Sequence, residues 1–312
     1  MESIDVSIIL INYKNAKLTS DAVDSVIEKS RGFSYEIIVV DNSNDSAEFA
    51  ALSKLLEGKA ICVDAKANLG FGKGNNLGVV QSKGKYVHFL NNDTLLMNNA
   101  ICELFRFLEE HHAAGIAGSN LYSLDGKPNH SFTPYVSTAK DPLKSSSILA
   151  IIRRHLLRRP DFNYGCKPLK IGGHVVGASL MISRADFDRL GGFDKDIFMY
   201  AEEALLCYRL INELGLEIYN VPSSKIIHFE GRSFGETPKA MTPWRAKECA
   251  NGMAIYLKRA FGEEEAIAFF RNTIKAENKI LRLAKLTRKG DAESHINRIR
   301  AAEDKLKELE NA

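Results

Sequence analysis

Four short apolar runs rich in β-branched residues recur in the first 90 residues, and stretches of helix-forming residues separate them. The runs lie at residues 6–11, 36–40, 60–63 and 86–90. Continuous runs of this kind predict strands that are covered on both faces, as in parallel sheets. Helices are predicted at residues 18–29, 46–57, 74–82 and 98–111. The alternation therefore predicts an α/β fold with a parallel sheet of the nucleotide-binding type.

Polar residues follow the predicted strands, at the edge where open α/β sheets form their ligand crevice. They are Asn12-Tyr13, Asp41-Asn42, the stretch 68–76 and Asn91-Asn92-Asp93-Thr94. Each one alone is equally typical of a turn, because Asn, Asp and Gly favour turns for local reasons. Four of them in succession at one predicted edge indicate a binding site.

The middle of the chain has a different composition. Residues 130–170 show no clear sheet pattern, and within them residues 147–159 form a short apolar segment that ends in two Arg pairs. This segment predicts either a lid helix packed on the domain or an interfacial element near anionic lipid. Strands are predicted again at residues 178–182 and 217–221, with a helix at residues 202–214 between them.

From Trp244 onward the chain consists almost entirely of helix formers. Apolar residues at three- and four-residue spacing form two stripes, on either side of a break at residues 289–291. The stripes predict a helical hairpin that packs on the domain or forms a homodimer interface. We therefore predict a domain over residues 1–240, with halves at about 1–120 and 121–240, and a C-terminal helical extension over residues 241–312.

Composition excludes several classes of protein. No apolar run approaches the ~20 residues that span a bilayer, and the N-terminus lacks the basic region of a signal peptide. The cysteines are scattered with no CxxC pair, which favours reduced thiols in a soluble, cytoplasmic protein. Residues 245–312 hold 15 Lys and Arg against 11 Asp and Glu. That surplus is small and interleaved with acids, so we expect no nucleic-acid partner.

Several motifs occur together in a specific order and spacing. They are Val6-Ser7-Ile8-Ile9-Leu10-Ile11-Asn12-Tyr13, Val39-Val40-Asp41-Asn42-Ser43, Asn68-Leu69-Gly70-Phe71-Gly72, Leu90-Asn91-Asn92-Asp93-Thr94, Gly177-Ala178, Gly191-Gly192-Phe193-Asp194, Phe198-Met199-Tyr200-Ala201-Glu202-Glu203 and His228. On these motifs the chain resembles the family 2 glycosyltransferases of GT-A type, and most of all their bacterial rhamnosyltransferase-like branch. The resemblance implies an α/β fold with a Rossmann-like, mixed but mostly parallel central sheet flanked by helices. It covers roughly residues 4–235 and leaves the C-terminal helical extension outside.

The resemblance implies an inverting, metal-dependent hexosyltransferase. Such an enzyme would move a hexose or deoxyhexose, such as rhamnose, from a nucleoside-diphosphate sugar to a hydroxyl of a saccharide or lipid-linked saccharide. It would act in bacterial surface polysaccharide synthesis, with possible peripheral contact at the inner face of the cell membrane. The divalent metal would be Mn²⁺ or Mg²⁺, because a cation must sit on the departing diphosphate.

The resemblance also assigns residues to the donor. Asp93 would be a metal ligand together with His228, although Asn91 stands where the family usually has the first Asp of Asp-x-Asp. Asp93 could instead cap a helix that begins before Leu95. The expected nucleotide-sugar contacts are Asn12, Tyr13, Asp41, Asn68, Gly70, Gly74, Asn75, Asn91, Asp93 and Arg232.

The acceptor side contains the acidic pair Glu202-Glu203. Glu203 occupies the position of the family's catalytic base, Glu202 precedes it, and Leu205 replaces the second Asp of the family's pattern. Two acids are also simply favourable in the first turn of a helix. The departures at Asn91 and Leu205 leave open a catalytically impaired nucleotide-sugar or carbohydrate-binding protein of the same fold. The expected acceptor contacts are Gly177, Ala178, Phe193, Asp194 and Tyr200.

Overall fold

A mixed sheet is the centre of the first of two compact units, in a computed structural model that describes residues 3–136, 138–139, 161–229, 241–287 and 292–311. Its first strands are β1 (Val6–Asn12), β2 (Tyr35–Asp41), β3 (Ile61–Asp64) and β4 (Tyr86–Leu90). They pair in parallel in the order β3-β2-β1-β4. Ile8 and Leu10 of β1 belong to one buried cluster and Ile9 to another, as expected of a sheet covered on both faces.

The helices that alternate with these strands are α1 (Ala16–Lys29), α2 (Ser46–Leu55), α3 (Gly70–Gln81) and α4 (Ala100–Glu110). The predicted start of α3 at residue 74 is wrong, because the glycine-rich stretch is already helical from Gly70. A Cβ built on Gly78 would lie 2.6 Å from Ile9 Cγ2, and one on Gly74 would lie 3.1 Å from Ile11 Cδ1. These glycines therefore let α3 lie directly on β1.

The second half of the sheet includes strands that the sequence pattern did not predict. After β4 the order continues with β11 (Ser179–Ser183), β6 (Ala114–Tyr122), β12 (Glu217–His228) and β5 (Thr94–Leu96). Strand β11 runs antiparallel to β4 and β6, and β12 runs parallel to β6. The β6 segment mixes small and polar residues and has no β-branched run, so periodicity gave no signal for it. The short strands of this part are β7 (Pro128–Asn129), β8 (Phe132–Thr133), β9 (Leu169–Ile171) and β10 (His174–Val175).

Two helices lie between β11 and β12. The short α5 (Arg184–Arg189) was not predicted, whereas α6 (Glu202–Arg209) and the π-helical turn Leu210–Leu214 together confirm the helix predicted at residues 202–214. The helix ends at Gly215, whose φ of +67° is a left-handed conformation that glycine adopts without steric cost. The basic segment 153–159 lies outside the described residues.

The described residues of the C-terminal part form one helix and, after it, the two helices of the predicted hairpin, on either side of residues 289–291. They are α7 (Pro243–Phe261), α8 (Glu263–Thr287) and α9 (Ala292–Glu310). Thr242 caps α7 by accepting a hydrogen bond from Arg245 N at 3.2 Å, and Pro243 follows it at the first helical position. Phe270 of α8 and Ile299 and Leu309 of α9 are buried, as the apolar stripes predict. A homodimer through these helices stays a prediction.

The chain divides into two compact units. Among the described residues, the sheet unit contains 3–136, 161–195 and 206–229, and the helical unit contains 138–139, 196–205, 241–287 and 292–311. The boundary that we predict at residue 240 stays a prediction. Within the described part of the chain, none of the helices combines the length and apolarity needed to cross a bilayer.

Candidate functional site

The polar ends of the parallel strands meet at one edge of the sheet. Asn12 at the end of β1 pairs in register with Asp41 at the end of β2, and Asp41 pairs in register with Asp64 at the end of β3. Parallel pairing brings these carboxyl ends together, as the sequence predicts.

Asp41 is fully buried, and its carboxylate already has protein partners. Asn12 Nδ2 donates to Asp41 Oδ1 at 2.8 Å, and Ser43 Oγ donates to Asp41 Oδ2 at 2.6 Å. Ser43 N also donates to Oδ1 at 3.2 Å. These bonds fix the loop after β2 to the end of β1. Contact of Asn12, Tyr13 and Asp41 with a nucleotide stays a prediction.

A chain of hydrogen bonds extends from this pair to Glu48 and Thr19, which sequence reasoning missed, and on to Asn92. Glu48 Oε1 accepts from Asn12 Nδ2 at 3.1 Å and from Ala16 N at 2.8 Å. Thr19 Oγ1 donates to Asn12 Oδ1 at 2.7 Å and accepts from Asn92 Nδ2 at 2.9 Å. The position of Glu48, three residues after the helix cap Asp45, is a recognisable signal of a helix start. The hydrogen bond that Glu48 accepts from Ala16 N of α1 is a tertiary contact, which this local signal does not predict.

The start of α3 lies beside the loop after β2. Asn42 Nδ2 donates to Gly70 O at 2.8 Å, and Asn68 Oδ1 accepts from Gly70 N at 3.1 Å. Gly70 has a φ of +75°, which favours glycine there. Asn75 is buried and donates to Phe71 O at 3.0 Å, whereas Gly74 faces Asn42. Donor contacts at Asn68, Gly70, Gly74 and Asn75 stay predictions.

Asn91, Asp93 and His228 lie close together beyond the end of β4. Residues 94–96 form a strand, so the alternative that Asp93 caps a helix is wrong. In the antiparallel pair of β5 and β12, Thr94 lies opposite His228. This pairing places His228 Nε2 3.3 Å from Asp93 Oδ1 and 3.4 Å from Asn91 Nδ2. The Asp93 side chain is only 3% exposed, so its charge lies where the dielectric constant is low and electrostatic interactions are strong.

This cluster supplies two potential metal ligands. Among the described residues, no group of three or more His, Cys, Asp or Glu side chains could hold a metal ion. Asp93 and His228 are nevertheless separated by 3.3 Å, close to the roughly 3 Å between neighbouring ligands of an octahedral ion with bonds of about 2.1 Å. Mg²⁺ and Mn²⁺ sites commonly use few protein ligands and complete their shell with water and substrate phosphates. The donor set therefore fits a divalent ion shared with a diphosphate.

The loop around Gly192 and Phe193 is held by a residue that sequence reasoning missed. Asn76 Nδ2 donates to Phe193 O at 2.9 Å, and Phe193 N donates to Asn76 Oδ1 at 3.0 Å. A Cβ on Gly192, whose φ is +79°, would lie 2.7 Å from Asn76 Oδ1. The ring of Phe193 is 1% exposed and packs against Phe89 with centroids 4.8 Å apart, so it belongs to the core.

The other expected acceptor residues of the sheet unit lie in two loops. Ala178 is 1% exposed, and its carbonyl accepts from Asn91 N at 3.1 Å, next to the Asp93 cluster. Gly177 directly precedes it, and Asp194 follows the Phe193 loop. Acceptor contacts at Gly177, Ala178, Phe193 and Asp194 stay predictions.

We expect Asn76→Asp to lower the free energy of unfolding by about 1–3 kcal/mol, because its carboxylate accepts from Phe193 N but cannot donate to Phe193 O. Urea denaturation measures this change. Asn212→Asp is the control, since Asn212 also donates an amide bond to a carbonyl, that of Tyr208, but at an exposed position. Equal losses in the two variants would show that the Asn76 bonds do not specifically hold the loop.

The acidic pair lies in the helical unit, at the start of α6. Glu202 is 2% exposed, and burial raises the pKa of its carboxyl well above the ordinary value, with the charge of Glu203 as a second cause. Glu203 is partly exposed, and Leu205 is 2% exposed, so residue 205 contributes a core side chain where the resemblance expects an acid. Both acids lie in the first turn of a helix, a position that suits a catalytic acid pair as well as two acids that only stabilise the helix start.

Tyr200 and Arg232 complete the set of expected site residues. Tyr200 lies in the turn before the acids, with the Arg245 guanidinium 5.8 Å from its ring centroid. Its contact with an acceptor stays a prediction. Arg232 lies outside the described residues.

The sequence of the chain is similar to those of known glycosyltransferases. The sequence model of "Glycosyl transferase family 2" matches residues 7–191, more than half of the chain. Rhamnosyltransferase WbbL of Escherichia coli K12 is 27% identical over an alignment of 185 residues that covers 53% of this chain and 64% of WbbL. Poly(ribitol-phosphate) beta-N-acetylglucosaminyltransferase TarP of Staphylococcus aureus is 30% identical over 125 residues, which are 39% of this chain and 38% of TarP. The chain thus spans less than two thirds of the length of these curated relatives.

A third relative and one solved structure extend the comparison. The N-acetylglucosaminyl-diphospho-decaprenol L-rhamnosyltransferase of Mycobacterium tuberculosis H37Rv is 38% identical over 66 residues, 21% of either chain. The mannosyltransferase PcManGT of Pyrobaculum calidifontis, solved in complex with GDP-Man and Mn²⁺, superposes with a TM-score of 0.60 at 15% identity. The superposition covers 98% of this chain and 88% of that one. This likeness confirms the GT-A-type fold.

Proposed function

Because the chain belongs to glycosyl transferase family 2, we propose that it moves a hexose or deoxyhexose from a nucleoside-diphosphate sugar to an acceptor hydroxyl with inversion. The observation that carries this proposal is the cluster of Asp93, His228 and Asn91 at the sheet edge. A buried carboxylate beside an imidazole suits an ion that neutralises a departing diphosphate.

On the donor side, Asp93 and His228 would hold Mn²⁺ or Mg²⁺. When bound, the ion would act as a Lewis acid on the diphosphate oxygens. PcManGT, which is similar in fold, was solved with GDP-Man and Mn²⁺, and this combination of a nucleotide sugar with a divalent ion supports the proposal of both for this chain. Asn91 would contact the ribose without adding charge, and the Asn12–Asp41 pair would shape the base pocket. The remaining proposed donor contacts are Tyr13, Asn68, Gly70, Gly74, Asn75 and Arg232.

On the acceptor side, Glu203 would be the general base. The acceptor oxygen would form a bond to the anomeric carbon while the bond from that carbon to the diphosphate oxygen breaks, and Glu203 would take the hydroxyl proton. Glu203 suits this role better than Glu202, because Glu202 is 2% exposed and burial raises the pKa of its carboxyl. The proposed acceptor contacts are Gly177, Ala178, Phe193, Asp194 and Tyr200.

The relatives support a more specific substrate pair. Two of them carry rhamnosyltransferase in their names, and the mycobacterial one names a diphospho-decaprenol acceptor. We therefore propose rhamnose as the first donor sugar to test and a lipid-linked saccharide as the acceptor. Such an acceptor would place the reaction in surface polysaccharide synthesis, at the inner face of the cell membrane.

We expect one nucleoside-diphosphate sugar of a panel to stabilise the protein clearly more than the others, and only with Mn²⁺ or Mg²⁺ present. A ligand at about 100 times its dissociation constant adds about 2.7 kcal/mol, which is several degrees in melting temperature. Differential scanning fluorimetry measures the shift, with the free nucleoside diphosphate as control. The proposal fails if no sugar nucleotide shifts the melting temperature.

A second candidate function is a nucleotide-sugar-binding protein that does not catalyse transfer. The buried Leu205, in place of an expected acid, is the observation that favours it. Release of nucleoside diphosphate separates the two, because an enzyme hydrolyses its donor slowly even without acceptor. A cognate donor that is bound and never released as nucleoside diphosphate, with any acceptor, would favour the binding protein.

A further inference from the structure

One face of α7 packs against the turn that precedes the two acids. Arg245, Cys249 and Gly252 are spaced by four and three residues, so they lie on the same side of the helix. Gly252 is buried, and a Cβ built on it would lie 2.0 Å from Tyr200 O and 2.9 Å from Met199 O. The backbone of α7 therefore touches the backbone of the turn, at a distance that only glycine allows.

The turn itself has an unusual conformation. Tyr200 and Ala201 have φ values of +68° and +73°, in the left-handed region that non-glycine residues rarely adopt. Among the described residues they are the only adjacent non-glycine pair with positive φ. Such backbone conformations persist only where the surrounding structure imposes them. Helix α7 is part of the structure around this turn, and Glu202 follows the turn immediately.

Charged groups surround the same contact. The Arg245 guanidinium lies 5.8 Å from the ring centroid of Tyr200. The pKa of the Cys249 thiol is raised to about 11, chiefly by burial; the charges of Arg245 and Arg298 oppose this rise, and those of Glu202 and Glu203 add to it. Both acids are therefore within electrostatic reach of a side chain of α7.

We propose that Gly252 is a positioning residue, which orients the Glu202–Glu203 pair by fixing the turn at Tyr200 and Ala201. This inference rests on the proposed function, because it assigns a role to the proposed base Glu203. It also gives the C-terminal helices a part in the reaction, although the family match ends at residue 191.

Gly252→Ala tests this role directly. A Cβ atom in a protein essentially never lies within 3.0 Å of a heavy atom to which it is not bonded. The new methyl group, 2.0 Å from Tyr200 O, must therefore displace the turn by about 1 Å. A displacement of about 1 Å at a catalytic group costs up to roughly 100-fold in rate. We expect kcat for transfer to fall about 10- to 100-fold, while the donor KM changes less than about twofold, since the donor residues lie in the sheet unit.

The matched control is Lys247→Ala, an exposed position of the same helix. It should keep the wild-type kcat. The pH profile of kcat should shift in Gly252→Ala and stay unchanged in Lys247→Ala, because only a displaced acid pair changes the environment of the base. A lower kcat with an unshifted profile and a raised donor KM would indicate general damage to the fold and would overturn the proposal.

A double variant separates this inference from the proposed function. If Gly252 acts through Glu203, Gly252→Ala should lower the residual rate of Glu203→Gln by less than about twofold, because coupled sites are not additive. Full additivity would overturn the positioning role. If Glu203→Gln keeps the wild-type rate, the base assignment fails instead, whatever Gly252→Ala does.

A second variant keeps the test valid should Gly252→Ala fold poorly. Ala201→Gly removes the steric strain of the left-handed residue and adds no bulk, so the protein should be at least as stable as wild type. Its turn is less constrained, and we expect kcat to fall about tenfold with an unchanged donor KM. A wild-type kcat in Ala201→Gly would contradict the idea that the imposed turn orients the acids.

Discussion

Asp93→Ala should abolish the stabilisation by donor that depends on the metal ion, and should lower kcat/KM for transfer by about 100- to 1,000-fold. Asp93 is the one carboxylate of the Asn91–Asp93–His228 cluster, so its loss leaves a single neutral ligand for a divalent ion. Hard cations prefer oxygen ligands, and the imidazole of His228 alone would hold the ion weakly. Scanning fluorimetry with and without Mn²⁺, and release of nucleoside diphosphate, measure the two losses.

Two further variants make this result specific. Asp93→Asn keeps the shape of the buried side chain and removes its charge, so it should behave like Asp93→Ala if charge is what matters. Asp64→Ala removes another carboxylate at the end of a strand, one that pairs with Lys66 at 2.6 Å and lies outside the cluster. Asp64→Ala should keep the metal-dependent shift. A metal-dependent shift that survives in Asp93→Asn would remove Asp93 from the metal site.

The parallel half of the sheet could be predicted because its information is local. The apolar runs of β1, β2 and β4 are buried on both faces, and burial of that kind leaves a continuous pattern in the sequence. Their polar ends then had to meet, since parallel strands end at one edge. By contrast, β6 has small and polar residues and is buried between β11 and β12, so its place depends on neighbours that are distant in sequence.

The family resemblance predicted the Asp93 cluster, which the local sequence pattern alone could not predict. Nothing in the sequence near Asp93 points to His228, which is 135 positions later and reaches it only through the pairing of β5 with β12. The resemblance named both residues, and the structure brings them within 3.3 Å of each other. It also named Asp41, whose carboxylate already accepts from Asn12 and Ser43, so the first physical role of that residue is to hold the loop.

Asn76 and Gly252 could not be found from the sequence, for a common physical reason. Each acts on the backbone of a distant segment, Asn76 through two hydrogen bonds to Phe193 and Gly252 through the absence of a side chain beside Tyr200. Asn and Gly in helices have ordinary local explanations, so the pattern gives no reason to single them out. Contacts with backbone atoms become visible only when the fold is known.

Glu203→Gln should remove transfer and leave donor binding intact. The amide keeps the size of the side chain but cannot take a proton, and loss of a general base typically costs about 100- to 10,000-fold in rate. The metal-dependent thermal shift with the cognate donor should stay within measurement error, because Asp93 and His228 belong to a separate cluster in the sheet unit. Steady-state kinetics and scanning fluorimetry on the same preparations measure both effects.

Glu213→Gln is the matched control, because Glu213 belongs to the same helical segment and pairs with Arg209 at an exposed position. Its rate should stay close to that of wild type, as expected when an exposed ion pair is lost. The contrast between Glu203 and Glu213 then separates proton transfer from a loss of charge in this segment. Wild-type turnover in Glu203→Gln would exclude Glu203 as the base, and equal losses in the two variants would show that the effect is not specific to the acid pair.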